Sequence, residues 1–384
     1  MKNIINVLAY MLILFLIYVT FGITSSFLES SAQNSNVPVI LIFVELIILV
    51  IAISIECFVL TRMKDWIELK YKKNIKIDEI SEDFKNLYKK IYQENIFKLE
   101  KIRKKVSSSI ILRNVSLYLF FLINWILQII EFKIKNKEFL IIVFCCEVSI
   151  LIFVISSIIV KKEKDIYINE YKKIIPKFIK IINPKLQYLN STDLLEREYK
   201  DAEFDSLKYN KYYEDDYIIG DISPEIKAEI ANVLIRYEVG DNKETRFSGM
   251  FACCSSKTDF LKNIIKIKVN NYAKEEKNKK VQMDSTDFEK YFDVYCEDKI
   301  LAMRILTADI MELMVEFYNK YNLFFEIVYK NNKIYLRFFT GKMFEPEIWK
   351  NSLNLKTIYE YHETVKFIIK VTEMSNKIVR EIDL

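Results

Sequence analysis

The chain has 384 residues, 51% of them hydrophobic, a formal net charge of +5, a single histidine and five glycines. One histidine rules out a multi-His metal site, and any Ser-His-Asp or Cys-His mechanism would have to use His362. The glycines, Gly22, Gly220, Gly240, Gly249 and Gly341, are too scattered for a dinucleotide or Walker phosphate loop, which counts against the common nucleotide-binding enzymes.

Charge divides the chain in two. Residues 1–160 hold 19 Lys+Arg and 14 Asp+Glu, which leaves 38 of each for residues 161–384. The second part is neutral and has no clustered basic face, so nucleic acid is not an expected partner. The long apolar runs lie almost wholly in the first part.

A hydrocarbon core of about 30 Å takes roughly 20 apolar residues of helix. Four segments predict such spans: 4–22, 38–60, 111–130 and 139–160, the third requiring Arg113 to snorkel. The segment 61–109 carries 14 Lys+Arg against 8 acids and 23–37 carries none, which places 61–109 and both termini in the cytoplasm. Lys133, Lys135 and Lys137 in the outer hairpin run against this orientation. The expected localisation is therefore the cell membrane, multi-pass. A cleaved signal peptide is the alternative for the first span and would leave three. The expected layout is a transmembrane hairpin (1–60), a cytoplasmic amphipathic segment (61–109), a second transmembrane hairpin (110–160) and a cytoplasmic domain (161–384).

Within 61–109, Ile80, Phe84, Leu87, Ile91, Leu99, Ile102 and Val106 recur at helical spacing among Lys and Glu. That face needs a cover: the C-terminal domain, a second copy, or an anionic leaflet met by Lys101, Arg103, Lys104 and Lys105. Packing on the protein itself is favoured.

In the C-terminal part, 217–219, 226–239, 246–253 and 264–269 predict strands. Segments 323–330 and 333–339 flank Asn331-Asn332, a pair suited to a two-residue hairpin turn. Helices are expected over 285–295, 299–321 (with Thr307 and Asp309 as local cap or kink residues) and 357–382. The fold class is an α-helical membrane region of four transmembrane helices plus a C-terminal α+β domain, with helices packed on an antiparallel sheet.

Chemistry-bearing residues are few. The six cysteines contain no C-x-x-C pair; Cys253 and Cys254 would point to opposite faces of a strand and read as buried small hydrophobes. His362 lies in an apolar-periodic helix and reads as packed. The acids Glu214, Asp215, Asp216 and Asp221 have the composition of a Mg²⁺ or Ca²⁺ site, but with Gly220 among them a solvated turn or strand end is the better reading. Glu45, Asn124 and Glu147 fall at one depth in their expected spans and form a candidate intramembrane polar cluster.

The strings Tyr217-Ile218-Ile219-Gly220, Phe247-Ser248-Gly249-Met250-Phe251, Phe288-Glu289-Lys290-Tyr291-Phe292-Asp293-Val294-Tyr295, Ile305-Leu306-Thr307 and Phe344-Glu345-Pro346 resemble, in order and spacing, the bacterial domain-of-unknown-function 3137 family over residues 84–384. Ala308-Asp309 stands where that family usually has a proline after its Leu-Thr, and the first two spans have no counterpart in it. The resemblance implies a fold and no activity. Its matching residues Gly220, Phe247, Gly249, Phe251, Thr307, Phe344 and Pro346 are of types that shape turns, caps and cores.

The function expected is a membrane-tethered binding or regulatory module acting through its cytoplasmic domain. The alternative is a small transport or ion-conducting unit using Glu45 and Glu147, with a membrane-bound enzyme third. No catalytic residue, metal or cofactor is indicated. The expected partners are the lipid bilayer, a cytoplasmic protein or anionic lipid headgroups, and a second copy of the chain.

Overall fold

The computed structural model describes residues 80–130, 136–189, 194–204, 209–240, 242–257, 261–270, 279–341, 344, 346, 348–349 and 353–383. The chain divides into two compact units, 1–74 with 119–146, and 75–118 with 147–384. The second holds nearly all of the described structure.

Two long helices come first: α1 (Glu82–Ile130) and α2 (Asn136–Lys172), followed by the short α3 (Ile175–Ile182), which begins with a proline in its first turn. Then come β1 (Gln187–Leu189), α4 (Glu196–Asp201), β2 (Lys211–Ser223), β3 (Ile226–Val239), β4 (Asn242–Ser256), β5 (Leu261–Val269) and β6 (Lys280–Val281). The chain closes with α5 (Thr286–Glu289), β7 (Phe292–Tyr295), α6 (Lys299–Ile305), α7 (Ala308–Tyr321), the hairpin β8 (Phe325–Asn331) and β9 (Lys333–Phe338), and α8 (Leu355–Asp383).

Among the described residues the strands form one nine-stranded sheet, in the order β1-β2-β3-β4-β9-β8-β5-β7-β6, with every pair antiparallel. This bears out the α+β part of the sequence reading. β3 and β4 pair along nearly their full length, from Ile226↔Ser256 to Val239↔Asn242. Asn331 takes φ 56° at the tip of the β8–β9 hairpin, the left-handed conformation that asparagine tolerates best.

The sheet is buried on both faces. One face carries Ile230, Ala252, Cys254, Ile267, Leu336 and Phe338 and is covered by α3, α6, α7 and α8, with Phe317 stacked on Phe367 at 4.2 Å. The other carries Val233, Ile235, Phe247, Phe251, Cys253 and Tyr335 and is covered by α4 and its flanks, through Leu195, Tyr199, Ala202 and Phe204. Each large side chain fully buried in these layers contributes on the order of 1.5–3 kcal/mol.

Two sequence-based helices need correction in detail. Residues 285–295 divide into α5 and strand β7, because Lys266–Val269 of β5 offers Phe292–Tyr295 a ladder to join. Residues 299–321 divide at Leu306-Thr307 into α6 and α7.

The expected membrane region is overturned. Among the described residues no helix is long and apolar enough to cross a membrane. α1 is rich in charge from Glu82 to Lys105, and Arg113 and Glu147 fall within the apolar stretches of α1 and α2, where a charge is costly in a bilayer. The four-helix membrane region, the multi-pass description and the cell-membrane localisation are therefore withdrawn. Expected spans 4–22 and 38–60 lie outside the described residues.

Candidate functional site

Polar side chains gather at three places. The first is the β1 end of the sheet. β2 and β3 slip register between Asp215 and Ile218, and Asp216 occupies the bulge with φ 57°. Its carboxylate is 3% exposed. Oδ1 accepts from the Tyr188 hydroxyl at 2.5 Å and lies 3.3 Å from Lys172 Nζ at the end of α2, and Oδ2 accepts from Asn232 Nδ2 at 2.9 Å. Lys172 also reaches Asp215 at 2.6 Å. Burial raises the Asp216 carboxyl above its ordinary range, more than Tyr188, Lys172 and Asn232 lower it. Its neighbour in sequence, Glu214, faces the opposite side, where it accepts the amides of Leu194 (3.3 Å) and Leu195 (2.8 Å) and the Tyr212 hydroxyl (2.8 Å), fixing the entry to α4.

The second place is the layer beneath α4. Glu198 accepts from Lys333 Nζ at 2.7 Å, the Tyr335 hydroxyl at 3.3 Å and the Cys253 thiol at 3.5 Å. Burial opposes ionisation of Glu198, but these donors hold it below the ordinary carboxylate range. The Cys253 thiol is pushed well up by burial, and that of Cys254 to about 12, so both stay protonated at neutral pH and neither is an activated nucleophile. Alongside, Arg337 pairs with Glu326 (Nε to Oε2 2.7 Å), donates to the Tyr199 hydroxyl at 3.0 Å, and lies over the rings of Phe204, Phe339 and Phe247 at 4.6, 5.3 and 5.6 Å. Both members of the pair are nearly fully buried.

The third is the part of the α1–α2 hairpin belonging to the larger unit. The helices are held antiparallel by Lys98–Glu170 (2.5 Å), Lys105–Glu163 (2.7 Å) and Ser109 donating to Glu163 (3.1 Å). Beyond these pairs polarity inverts. Ser116, Ser149 and Ser156 are buried, and Ser116 and Ser156 turn their hydroxyls onto the carbonyls of Arg113 and Phe153. Ile111, Leu112, Leu151 and Ile158 stand 53, 53, 59 and 65% exposed. Just below lie exposed Lys101, Lys104, Lys105, Lys161, Lys162 and Lys164.

The residues expected to form an intramembrane cluster are not brought together by what is described. Glu147 is exposed on α2, while Glu45 and the side chain of Asn124 lie outside the described residues. The four acids considered for a cation are scattered: the β2 bulge at Asp216 breaks the alternation that would put Glu214 and Asp216 on one face, so they turn inward on opposite faces, while Asp215 and Asp221 face out. Among the described residues no group of three or more His, Cys, Asp or Glu has metal-holding geometry. His362 is packed against Phe84 (4.7 Å between ring centroids) and Tyr359, with Nδ1 3.0 Å from Glu363 Oε1.

The residues singled out through the family resemblance sit at packing positions. A Cβ on Gly220 would meet the Lys185 carbonyl, and one on Gly249 the Phe338 carbonyl and Thr340 nitrogen, so both glycines allow close backbone approach. Phe247 and Phe251 lie beneath α4. Thr307 is the N-cap residue of α7, although its hydroxyl makes no cap bond; Phe344 packs on Tyr361 at 4.8 Å, and Pro346 is half-buried. The Arg337–Glu326 pair and the Lys172–Asp216 contact were missed by sequence reasoning. The first carries a legible signal: an Asn331-Asn332 turn places residues 326 and 337 opposite one another.

No curated protein and no solved structure matches the chain. Residues 245–377, from β4 into α8, match the family model described as "Protein of unknown function (DUF3137)", so this chain carries a segment of the family that its motifs resemble.

Proposed function

We propose that the chain is a binding or regulatory module in which the α+β body holds the α1–α2 hairpin as a recognition surface. The observation that supports this reading is the inverted polarity of the hairpin, with serines in the seam and aliphatic side chains outside. Contiguous exposed apolar surface rimmed by charge is what an interaction site presents. The buried polar groups support it as well. Glu198 accepts from Lys333, Arg337 pairs with Glu326 and donates to Tyr199, and Asp216 accepts from Tyr188 beside Lys172, contacts that tie α4 and the end of α2 to the sheet.

Carbene footprinting of the full-length chain tests the reading. Leu151, Ile155 and Ile158 should label several-fold less in intact cells than in the dilute purified protein. Equal labelling in both would refute it.

A further inference from the structure

We propose that the junction of α2 with the edge of the sheet is a proton-sensitive joint, closed over a neutral Asp216 and loosened when that carboxyl ionises. Whatever the hairpin binds, α2 carries part of its aliphatic flank, so a proton at this joint changes how firmly that flank is held on the body.

The backbone is interrupted on both sides of the contact. α2 ends at Lys172, and α3 begins at Ile175 with Pro176 in its first turn. Proline has no N–H to offer the Lys172 carbonyl, so the helical ladder breaks there and the Lys172 side chain, with buried Tyr171 beside it, fastens the end of α2 to the sheet. Opposite, Asp216 holds φ 57°, which costs a non-glycine residue about 1–2 kcal/mol and persists where its contacts enforce it. Those contacts are Tyr188 from β1 and Asn232 from β3.

Two carboxylates share one ammonium. Lys172 Nζ lies 2.6 Å from Asp215, whose side chain is 52% exposed, and 3.3 Å from Asp216, whose side chain is 2% exposed. With both acids ionised the cluster carries an excess negative charge partly out of water; with Asp216 neutral the remaining pair balances. Tyr188 and Asn232 donate to Asp216 without adding charge. Tyr171 stands near Tyr188, Glu170 is paired with Lys98 and Lys173, and α3, which packs on β1, turns Lys177 to Glu94. Among the described residues Lys172 is thus the cation that pairs with Asp216.

Burial, with Asp215 adding to it, raises the Asp216 carboxyl, and Lys172 limits the rise. A carboxyl raised in the closed joint and ordinary in the open one favours closure at low pH, and closure weakens as pH rises through the raised value.

Hydrogen exchange of the full-length chain, read by mass spectrometry, tests the inference, with rates at about pH 5 and about pH 8 divided by those of unstructured peptide at the same pH. Protection over residues 165–175 and 211–219 should fall several-fold from the lower pH to the higher, while the β8–β9 hairpin keeps its own. Asp216→Asn, whose side chain stays neutral and tolerates φ 57°, should abolish the fall. Lys172→Met removes the cation that limits the rise and should deepen it. The inference is overturned by a parent without the fall, by an equal fall in Asp216→Asn, by a Lys172→Met variant that matches the parent, or by an equal fall across the β8–β9 hairpin, which would mark a change in global stability in place of a joint.

Discussion

Glu326→Gln probes the arrangement beneath α4 most sharply. Glu326 and Arg337 face each other across the β8–β9 hairpin with side chains 5 and 3% exposed, so the substitution leaves a guanidinium buried without its counter-charge. Breaking a buried pair in this way costs about 3–5 kcal/mol. The Tyr199 hydroxyl and three phenylalanine faces stay in place and offset part of that, each ring by about 0.5–1 kcal/mol, which places the expected loss near 2 kcal/mol. In a unit of this size that corresponds to about 4 °C or more in Tm. Replacing both partners, Glu326→Leu with Arg337→Met, removes the desolvated charges together and should recover most of the loss. Urea unfolding followed by circular dichroism reads all three proteins. A loss below about 1 kcal/mol for the single variant, or a double variant no more stable than the single one, would refute the view that a desolvated ion pair organises this layer.

At the β2 bulge, burial raises the Asp216 carboxyl, so the group favours the folded state most below its unfolded value, and that contribution is lost as pH rises through the folded value. Asp216→Asn, which keeps a side chain tolerant of φ 57°, should match the parent at low pH and gain on it as pH rises; a urea-midpoint difference that shrinks with rising pH would contradict this. Asp216→Ala should instead lose about 2 kcal/mol or more, since Tyr188 and Asn232 lose their acceptor and alanine resists the left-handed conformation. Gly249→Ala should cost more than about 2 kcal/mol or displace β9, whereas Gly240→Ala, with open space around it, should cost only the roughly 1 kcal/mol of its positive φ; equal thermal shifts would count against the close-approach account. Asp298→Ala removes a cap bond to the Leu301 amide and should cost about 1 kcal/mol, while Thr307→Ala, where the hydroxyl makes none, should change stability by under about 0.5 kcal/mol.

What could be read from the sequence followed local periodicity. β3 emerges with the expected bounds because 226–239 is rich in β-branched residues, and the opposed faces of Cys253 and Cys254 follow from period two alone. Phe292–Tyr295 was misread as helix because Phe288, Tyr291 and Tyr295 also fit a spacing of three to four, and pairing with β5 decided the matter. Hydropathy over 111–130 and 139–160 sums apolar residues whichever way they point, so it suggested spans but could not reveal a serine seam with an aliphatic exterior. The contact of Lys172 with Asp216 joins residues 44 apart through a helix end and a bulge, and no pattern in either segment announces it.

The β3–β4 ladder reaches beyond the stretch that matches the family. A fragment cut at residues 245 and 377 would begin inside β4, shed the strand that pairs along its length, and leave Phe247, Phe251 and Cys253 without Val233, Ile235 or the cover of Tyr199. Such a piece would have an open strand edge and a wet hydrophobic face, and aggregation is the expected fate. Main-chain hydrogen bonds are blind to side-chain identity. The strands upstream of residue 245 can therefore drift in sequence and still close the same sheet, provided their inward positions stay small or apolar. In this chain the unit that folds is larger than the unit that sequence likeness detects.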